Sequence, residues 1–181
     1  MAGSGSASSI EGFIYIAMNA FYQAALTFTG QNLGAKKPER ISRVLRYCLL
    51  LVFVTGALLG GTVLFFQDAL LGIYTDSQEA IRLGGVQLQI IACSYFLCGM
   101  MEVLCGQLRG MGYSTVPMLT SLLGACGLRI VWIYTVFQQS HTLFVLYLSY
   151  SVTWVVTLLA HYTCYCIVRR RLLRRLAAGI N

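Results

Sequence analysis

The sequence predicts an all-α membrane protein with five transmembrane helices, and three observations predict it. Residues 10–33, 42–67, 83–108, 115–137 and 142–168 are long apolar stretches, and a bilayer core needs about 20 apolar residues to be crossed. Only 10% of the residues are charged, against roughly 25% in a soluble domain, so the chain could not cover its own apolar surface in water. The basic residues also gather at alternate ends of the stretches. Of 13 Lys and Arg, five lie in the first connection (Lys36, Lys37, Arg40, Arg43, Arg46) and five follow the last stretch (Arg169, Arg170, Arg171, Arg174, Arg175). Arg109 lies in the third connection; the second holds Asp68, Asp76 and Glu79 with Arg82, and the fourth holds no charge. Positive connections face the cytoplasm. The expectation is a multi-pass protein of the plasma (inner) membrane with its N-terminus outside and its C-terminus cytoplasmic.

The same features exclude other classes. A net charge of +7 would suit nucleic acid, but these basic residues cluster at two membrane exits, where they set topology and meet the lipid bilayer; no nucleic-acid partner is expected. Seven cysteines fall inside or at the edges of the apolar stretches, with no CxxC pair, which reads as packing residues rather than a disulfide framework or a metal site. There is no Ser-His-Asp arrangement in a soluble part, no P-loop and no GxSxG, so neither an enzyme nor an ATP-driven pump is expected, and no cofactor. A solute moved by this chain would be driven by an ion gradient.

Taken in order, residues 1–9 (MAGSGSASS) read as a flexible outer leader without the basic region of a cleavable signal. Ser8-x-x-Glu11 has the form of a capping box, and the capping role suits Glu11 better than that of a functional acid. Helix one ends at Gly30-Gln31-Asn32-Leu33-Gly34, with Pro38 closing the turn. In helix two, Gly56-x-x-x-Gly60 leaves a strip where another helix backbone can approach. The link 67–82 is too polar to span and reads as a short, partly helical outer segment. Helix three carries Glu102 and ends at Gly106-Gln107-Leu108-Arg109-Gly110. Pro117 sits in the first turn of helix four, where its missing N–H costs nothing. Helix five leads into the tail 169–181, whose RRRLLRR run suits a short amphipathic helix on the inner leaflet.

Lipid offers no hydrogen bonds, so polar side chains inside these stretches carry information. In helix one, Tyr15, Asn19, Gln23, Thr27 and Gln31 recur every four residues, with Tyr22 beside them; steps of four drift by about 40° on a helix, giving a slowly winding stripe. The stripe either lines a solute pathway or bonds to neighbouring helices. Glu102 is deep in an apolar segment, and an acid there costs at least about 2.5 kcal/mol on insertion. It reads either as a protonatable or cation-coupled carboxylate or as the structural partner of Arg109 or Arg129. Arg129 either snorkels outward or pairs inside the bundle. His161 reads as a hydrogen-bonded helix histidine and His141 as an outer-loop residue.

Two motifs carry a resemblance. The segment IEGFIYIAMNAFYQAALTFTGQNLGAKKPERISRV, with Gly30-Gln31-Asn32-Leu33-Gly34-Ala35 before a basic turn, resembles a helix–loop–helix of the multidrug and toxic compound extrusion (MATE) family. Gly106-Gln107-Leu108-Arg109-Gly110-Met111-Gly112 resembles its Leu-Arg-Gly-x-Gly turn. The resemblance implies the last five helices of a six-helix C-terminal lobe, with the other lobe and one helix missing. It implies a polyspecific antiporter that exports small organic cations or drugs against Na⁺ or H⁺, inactive without a second lobe. Gly30, Asn32, Gly34, Arg109 and Gly110 are then parts of the inner turns, Glu102 is the cation-coupling candidate, and Tyr15, Asn19, Tyr22, Gln23, Gln31 and Arg129 are pathway candidates. The acid that many members carry in this helix would fall at Cys98, one turn before Glu102. The alternatives are a non-transporting fragment or assembly subunit and a relative of lipid-linked sugar flippases.

Overall fold

A segment in hydrocarbon must satisfy its own backbone, and a helix does so. The computed structural model describes residues 2–75 and 77–177. It runs as α1 (Ala2–Gly34), α2 (Pro38–Phe65), α3 (Gln67–Tyr74), α4 (Gln78–Gly110), α5 (Thr115–Ser121), a π-helical turn (Leu122–Gly127), α6 (Leu128–Thr135), α7 (Phe137–Ser140) and α8 (Leu143–Ala177). The pieces α5 to α7 form one span, Thr115–Ser140. Among the described residues four helices are long and apolar enough to cross a membrane: Pro38–Phe65, Gln78–Gly110, Thr115–Ser140 and Leu143–Arg175. The fifth expected span, α1, has the length at 33 residues. Its polar stripe makes it less apolar than the rest.

Three expectations need correction. Residues 2–9 are not a flexible leader but the first turns of α1. Ala7 is fully buried, and Gln87 Nε2 on α4 lies 3.4 Å from Ser8 Oγ; the small leader residues let the helix continue along its neighbour. Glu11 is therefore inside the helix rather than capping it, and its carboxylate accepts a 2.9 Å hydrogen bond from Gln87 Nε2. The basic run after residue 168 is likewise not a separate surface helix. Arg and Leu are strong helix formers, no Gly or Pro intervenes, and α8 continues to Ala177; residues 178–181 of the expected tail lie outside the described residues. Within the link 67–82, α3 is a short helix, with Leu71 fully buried, while Gln78 onward already belongs to α4, capped by Ser77 Oγ accepting from the Ala80 N–H.

The connections after α1 and α4 close in the same way. Lys37 N–H donates to Asn32 O and Lys36 N–H to Leu33 O, at 2.9 and 3.0 Å. Tyr113 N–H donates to Leu108 O and Gly112 N–H to Arg109 O, at 3.0 and 2.9 Å. This pairing satisfies the last carbonyls of a helix through one left-handed residue, here Lys36 (φ 53°) and Gly112 (φ 87°).

Helix α4 is the axis of the fold. In its apolar window 56% of the residues are buried, against 11% in Thr115–Ser140, and α1, α2 and α8 all pack on it. Backbones meet directly at its contacts. A Cβ on Gly60 of α2 would lie 2.7 Å from the Ala92 carbonyl oxygen, and one on Gly56 would lie 3.0 Å from Phe96 Cα. A Cβ on Gly106 of α4 would lie 2.6 Å from the Tyr22 carbonyl oxygen, and one on Gly110 would lie 2.7 Å from that of Leu26. Between helices in lipid, such close packing supplies much of the attraction that hydrophobic burial supplies in water.

Packing also gathers the charges. Arg46 of α2 and Arg169 and Arg170 of α8 line one groove, and Gly30 packs near Gly110. The first and third connections and the end of α8 thus lie at one end of the bundle, which is strongly basic.

Gly60→Ala places a methyl group against the α4 backbone and is expected to destabilise the bundle by about 1–3 kcal/mol. Gly61→Ala enters open space and is expected to leave stability unchanged or slightly raised. Thermal unfolding of both variants in detergent checks this pair.

Candidate functional site

The site is built on α1 and α4. Helix α1 has two sides. Ile14, Met18, Tyr22, Ala25 and Thr29 are buried, while Tyr15, Gln23, Thr27 and Gln31 are exposed and Asn19 is half-buried. The polar stripe therefore looks away from the packed bundle. Its bonds to other helices of this chain are few: among the described residues Gln23 and Gln31 make none, Tyr15 and Asn19 bond each other along the helix, and Tyr22 Oη accepts from Arg109 Nη1 at 2.7 Å. Of the two readings of the stripe, bonding within the chain has little support in this geometry.

Glu102 sits half-buried on α4, within electrostatic reach of Tyr15 on α1. Cys98, Cys105 and Arg109 are within its electrostatic reach. Neither arginine proposed as its partner holds it. Arg109 is committed to Tyr22, with its guanidinium 5.7 Å from that ring centroid. Arg129 stacks on Tyr150 of α8 at 3.7 Å, a contact worth about 2 kcal/mol when desolvated. Among the described residues the Glu102 carboxylate makes no hydrogen bond and no ion pair. Arg129 thus pairs inside the bundle rather than snorkelling.

Arg129 is presented by a local irregularity that the sequence reading missed. The π turn at Leu122–Gly127 closes with Leu128 N–H on the Leu123 carbonyl. Such a turn inserts a residue into the helix and often accompanies function; here it rotates the following residues, so that Arg129 meets α8. At the turn a Cβ on Gly124 would collide with Thr157 Oγ1, so the small residue lets the widened backbone sit against α8. The cluster Gly124-Ala-Cys-Gly127 was the available signal. From Arg129 an aromatic ladder crosses the bundle. Tyr150 and Trp154 meet edge to face at 5.9 Å, Trp154 and Tyr95 at 5.7 Å, and Tyr95 Oη donates to the Glu11 carbonyl at 3.2 Å. His161 is fully buried, with Nε2 at 3.4 Å from Ser121 Oγ and 3.3 Å from the Pro117 carbonyl, while its Nδ1 is buried without a hydrogen-bond partner among the described residues, so the expected hydrogen bonding holds for one ring nitrogen of the two. His141 caps α7 in a left-handed conformation at the loop before α8.

The motif residues lie together at the turns that follow α1 and α4. Gly30 and Gly110 are in contact distance, a Cβ on the former lying 3.8 Å from the carbonyl of the latter. Asn32 Nδ2 donates to the Phe28 carbonyl at 2.7 Å, and Gly34 is the last residue of α1. No group of three or more His, Cys, Asp or Glu able to hold a metal occurs among the described residues.

Among the described residues the multi-pass helical bundle thus combines two half-buried acids, Glu11 and Glu102, with a polar outward stripe and two packed Gly-rich turns. Comparison with known proteins gives the family. A family model described as MatE matches residues 1–135, and the chain belongs to that family. The probable multidrug resistance protein YoeA of Bacillus subtilis (strain 168) is 24% identical over 152 residues, 82% of this chain and 32% of that protein. The probable multidrug resistance protein NorM of Xanthomonas axonopodis pv. citri (strain 306) is 29% identical over 105 residues, 58% of this chain and 23% of that protein. The fold matches an inward-facing multidrug resistance MATE family transporter of the MOP superfamily, with TM-score 0.75 and 24% identity over 88% of this chain and 37% of the other. It also matches MATE in complex with MaD3S, with TM-score 0.70 and 24% identity over 89% and 37%. The chain spans between 23% and 37% of these relatives' length.

Gly124→Ala is expected to destabilise the bundle through its clash with Thr157, and Thr157→Ala is expected to restore most of the loss. A double-mutant cycle of detergent unfolding measures this coupling; purely additive effects would show that the two residues do not meet.

Proposed function

We propose that this chain is part of a polyspecific multidrug efflux antiporter that exports organic, often cationic, compounds in exchange for Na⁺ or H⁺. Family membership supports the class. The state of Glu102 supports the mechanism: a half-buried carboxylate, unpaired among the described residues, stands beside an outward polar stripe. A carboxylate with no fixed cation can be claimed in turn by a coupling ion and by a cationic solute. Because one charge cannot satisfy both, entry of the ion displaces the drug.

In this reading Glu102 is the coupling group. Tyr15, Asn19, Gln23 and Gln31 form one wall of the pathway, and the opposite wall comes from a second transporter lobe, which transport requires. Arg109 and Arg129 are held by Tyr22 and Tyr150 rather than in an ion pair with the acid. The basic end of the bundle faces the cytoplasm, following the positive-inside bias, which puts the N-terminus outside.

With this chain joined to the complementary lobe, Glu102→Gln is expected to abolish gradient-driven dye efflux while the inserted amount stays unchanged by immunoblot. Efflux at the unsubstituted rate would return Glu102 to a structural role. Efflux by this chain alone at the joined protein's rate would remove the need for the second lobe.

A further inference from the structure

We infer that the groove between α2 and α8 at the basic end is a binding site for the phosphate headgroup of an anionic membrane lipid. Both helices pack on α4, and a groove of about 540 Å³ opens between them. Arg46 enters it from α2, and Arg169 and Arg170 enter it from α8. Ser42, Tyr162 and Tyr165 supply hydroxyls, and no carboxylate lines the groove among the described residues.

Guanidinium groups lining one groove repel one another unless an anion lies between them. Arg46 and Arg170 are exposed and Arg169 is half-buried, and they stand over a buried floor: Tyr165 is 5% exposed. Arg169 Nε is itself buried and has no hydrogen-bond partner. A phosphate in the groove would supply acceptor oxygens for that N–H and counter-charge for all three arginines, in the paired geometry that guanidinium favours.

The walls point to a lipid rather than a free anion. Leu45 and Leu49 make the groove apolar on the α2 side. The same helix faces continue toward the bilayer centre as Phe53 on α2, one turn from Leu49, and as Leu159 and Val155 on α8, one and two turns from Tyr162. All three are exposed. A molecule with a phosphate head and apolar chains would therefore match the groove along its length. Basic pockets between helices on the cytoplasmic side are the expected receptors for such headgroups.

The test uses the purified chain in maltoside detergent, titrated with dioleoyl phosphatidylglycerol, dioleoyl phosphatidylcholine or sodium phosphate and read by native mass spectrometry. One phosphatidylglycerol is expected to bind at least about tenfold more tightly than phosphatidylcholine. Replacing Arg46, Arg169 and Arg170 together by Gln is expected to weaken it about a hundredfold, and Arg169→Gln alone about fivefold. The matched triple Gln variant at Arg171, Arg174 and Arg175, which removes equal charge outside the groove, is expected to bind like the unsubstituted chain. Absence of a preference for phosphatidylglycerol would overturn the proposal, as would equal losses in the two triple variants. So would displacement of the lipid by sodium phosphate at matched concentration, which would make this a free-anion site. Should the groove triple fail to fold, unchanged binding by Arg169→Gln would overturn it as well.

Discussion

The close approach of α4 to α1 and α2 is the constraint on which the rest of the structure depends. Lipid tails are as apolar as leucine, so burying leucine between helices gains little in a membrane, and close packing has to hold the bundle. Gly56 and Gly60 let α2 come down on Ala92 and Phe96, while Gly106 and Gly110 let α4 come down on the backbone of α1 at Tyr22 and Leu26. Side chains at these four positions would force the helices apart. Fully buried Met18, Leu88, Leu104 and Leu108 would then lose their neighbours.

The same approach decides what each polar group can do. Because Tyr22 lies on the buried side of α1, its hydroxyl is within reach of Arg109. The neighbouring stripe is turned outward. Helix α8 spends its own hydroxyls locally: Thr157 Oγ1 donates to the Thr153 carbonyl at 2.7 Å and Ser149 Oγ to that of Leu146 at 2.6 Å, so buried Ser and Thr in this helix need no partner elsewhere. Hydrogen bonds between helices average only about 0.6 kcal/mol in membranes. Contacts such as Ser94 Oγ to Ser151 Oγ at 2.6 Å therefore fix register between α4 and α8 more than they add stability.

The spans and the glycine strip on α2 were legible in the sequence, because long apolar runs and small-residue spacing are local properties. The extent of α1 was not. Ala7 is buried only because α4 runs alongside, and Ser8 and Glu11 meet Gln87 79 and 76 residues away. That contact turned an apparent capping box into a mid-helix contact. The polarity of α1 was readable, but which side its stripe faced was not, since a repeat every four residues names a face without naming its neighbour. The π turn escaped because a stretch of small residues is compatible with a regular helix until Thr157 is placed against Gly124. Glu102 was legible as an isolated acid. Its lack of a cation partner was not, because that depends on Tyr22 and Tyr150 taking the two arginines first.

The position of that acid follows from the same packing. The family resemblance places the usual acid at Cys98, and Cys98 is buried at 7% exposure, whereas Glu102 is half-buried. The two share a face of α4, and one turn separates them by about 6 Å along the helix. A carboxylate at position 98 in this bundle would be enclosed, within electrostatic reach of Arg129, and would depend on partners to offset its desolvation. One turn further toward the basic end, at 102, the side chain is half-buried and within electrostatic reach of Tyr15 on the outward polar stripe. The shift therefore moves the charge from an enclosed position to a half-buried one without changing which helix face carries it, which is what the proposed coupling role for Glu102 requires.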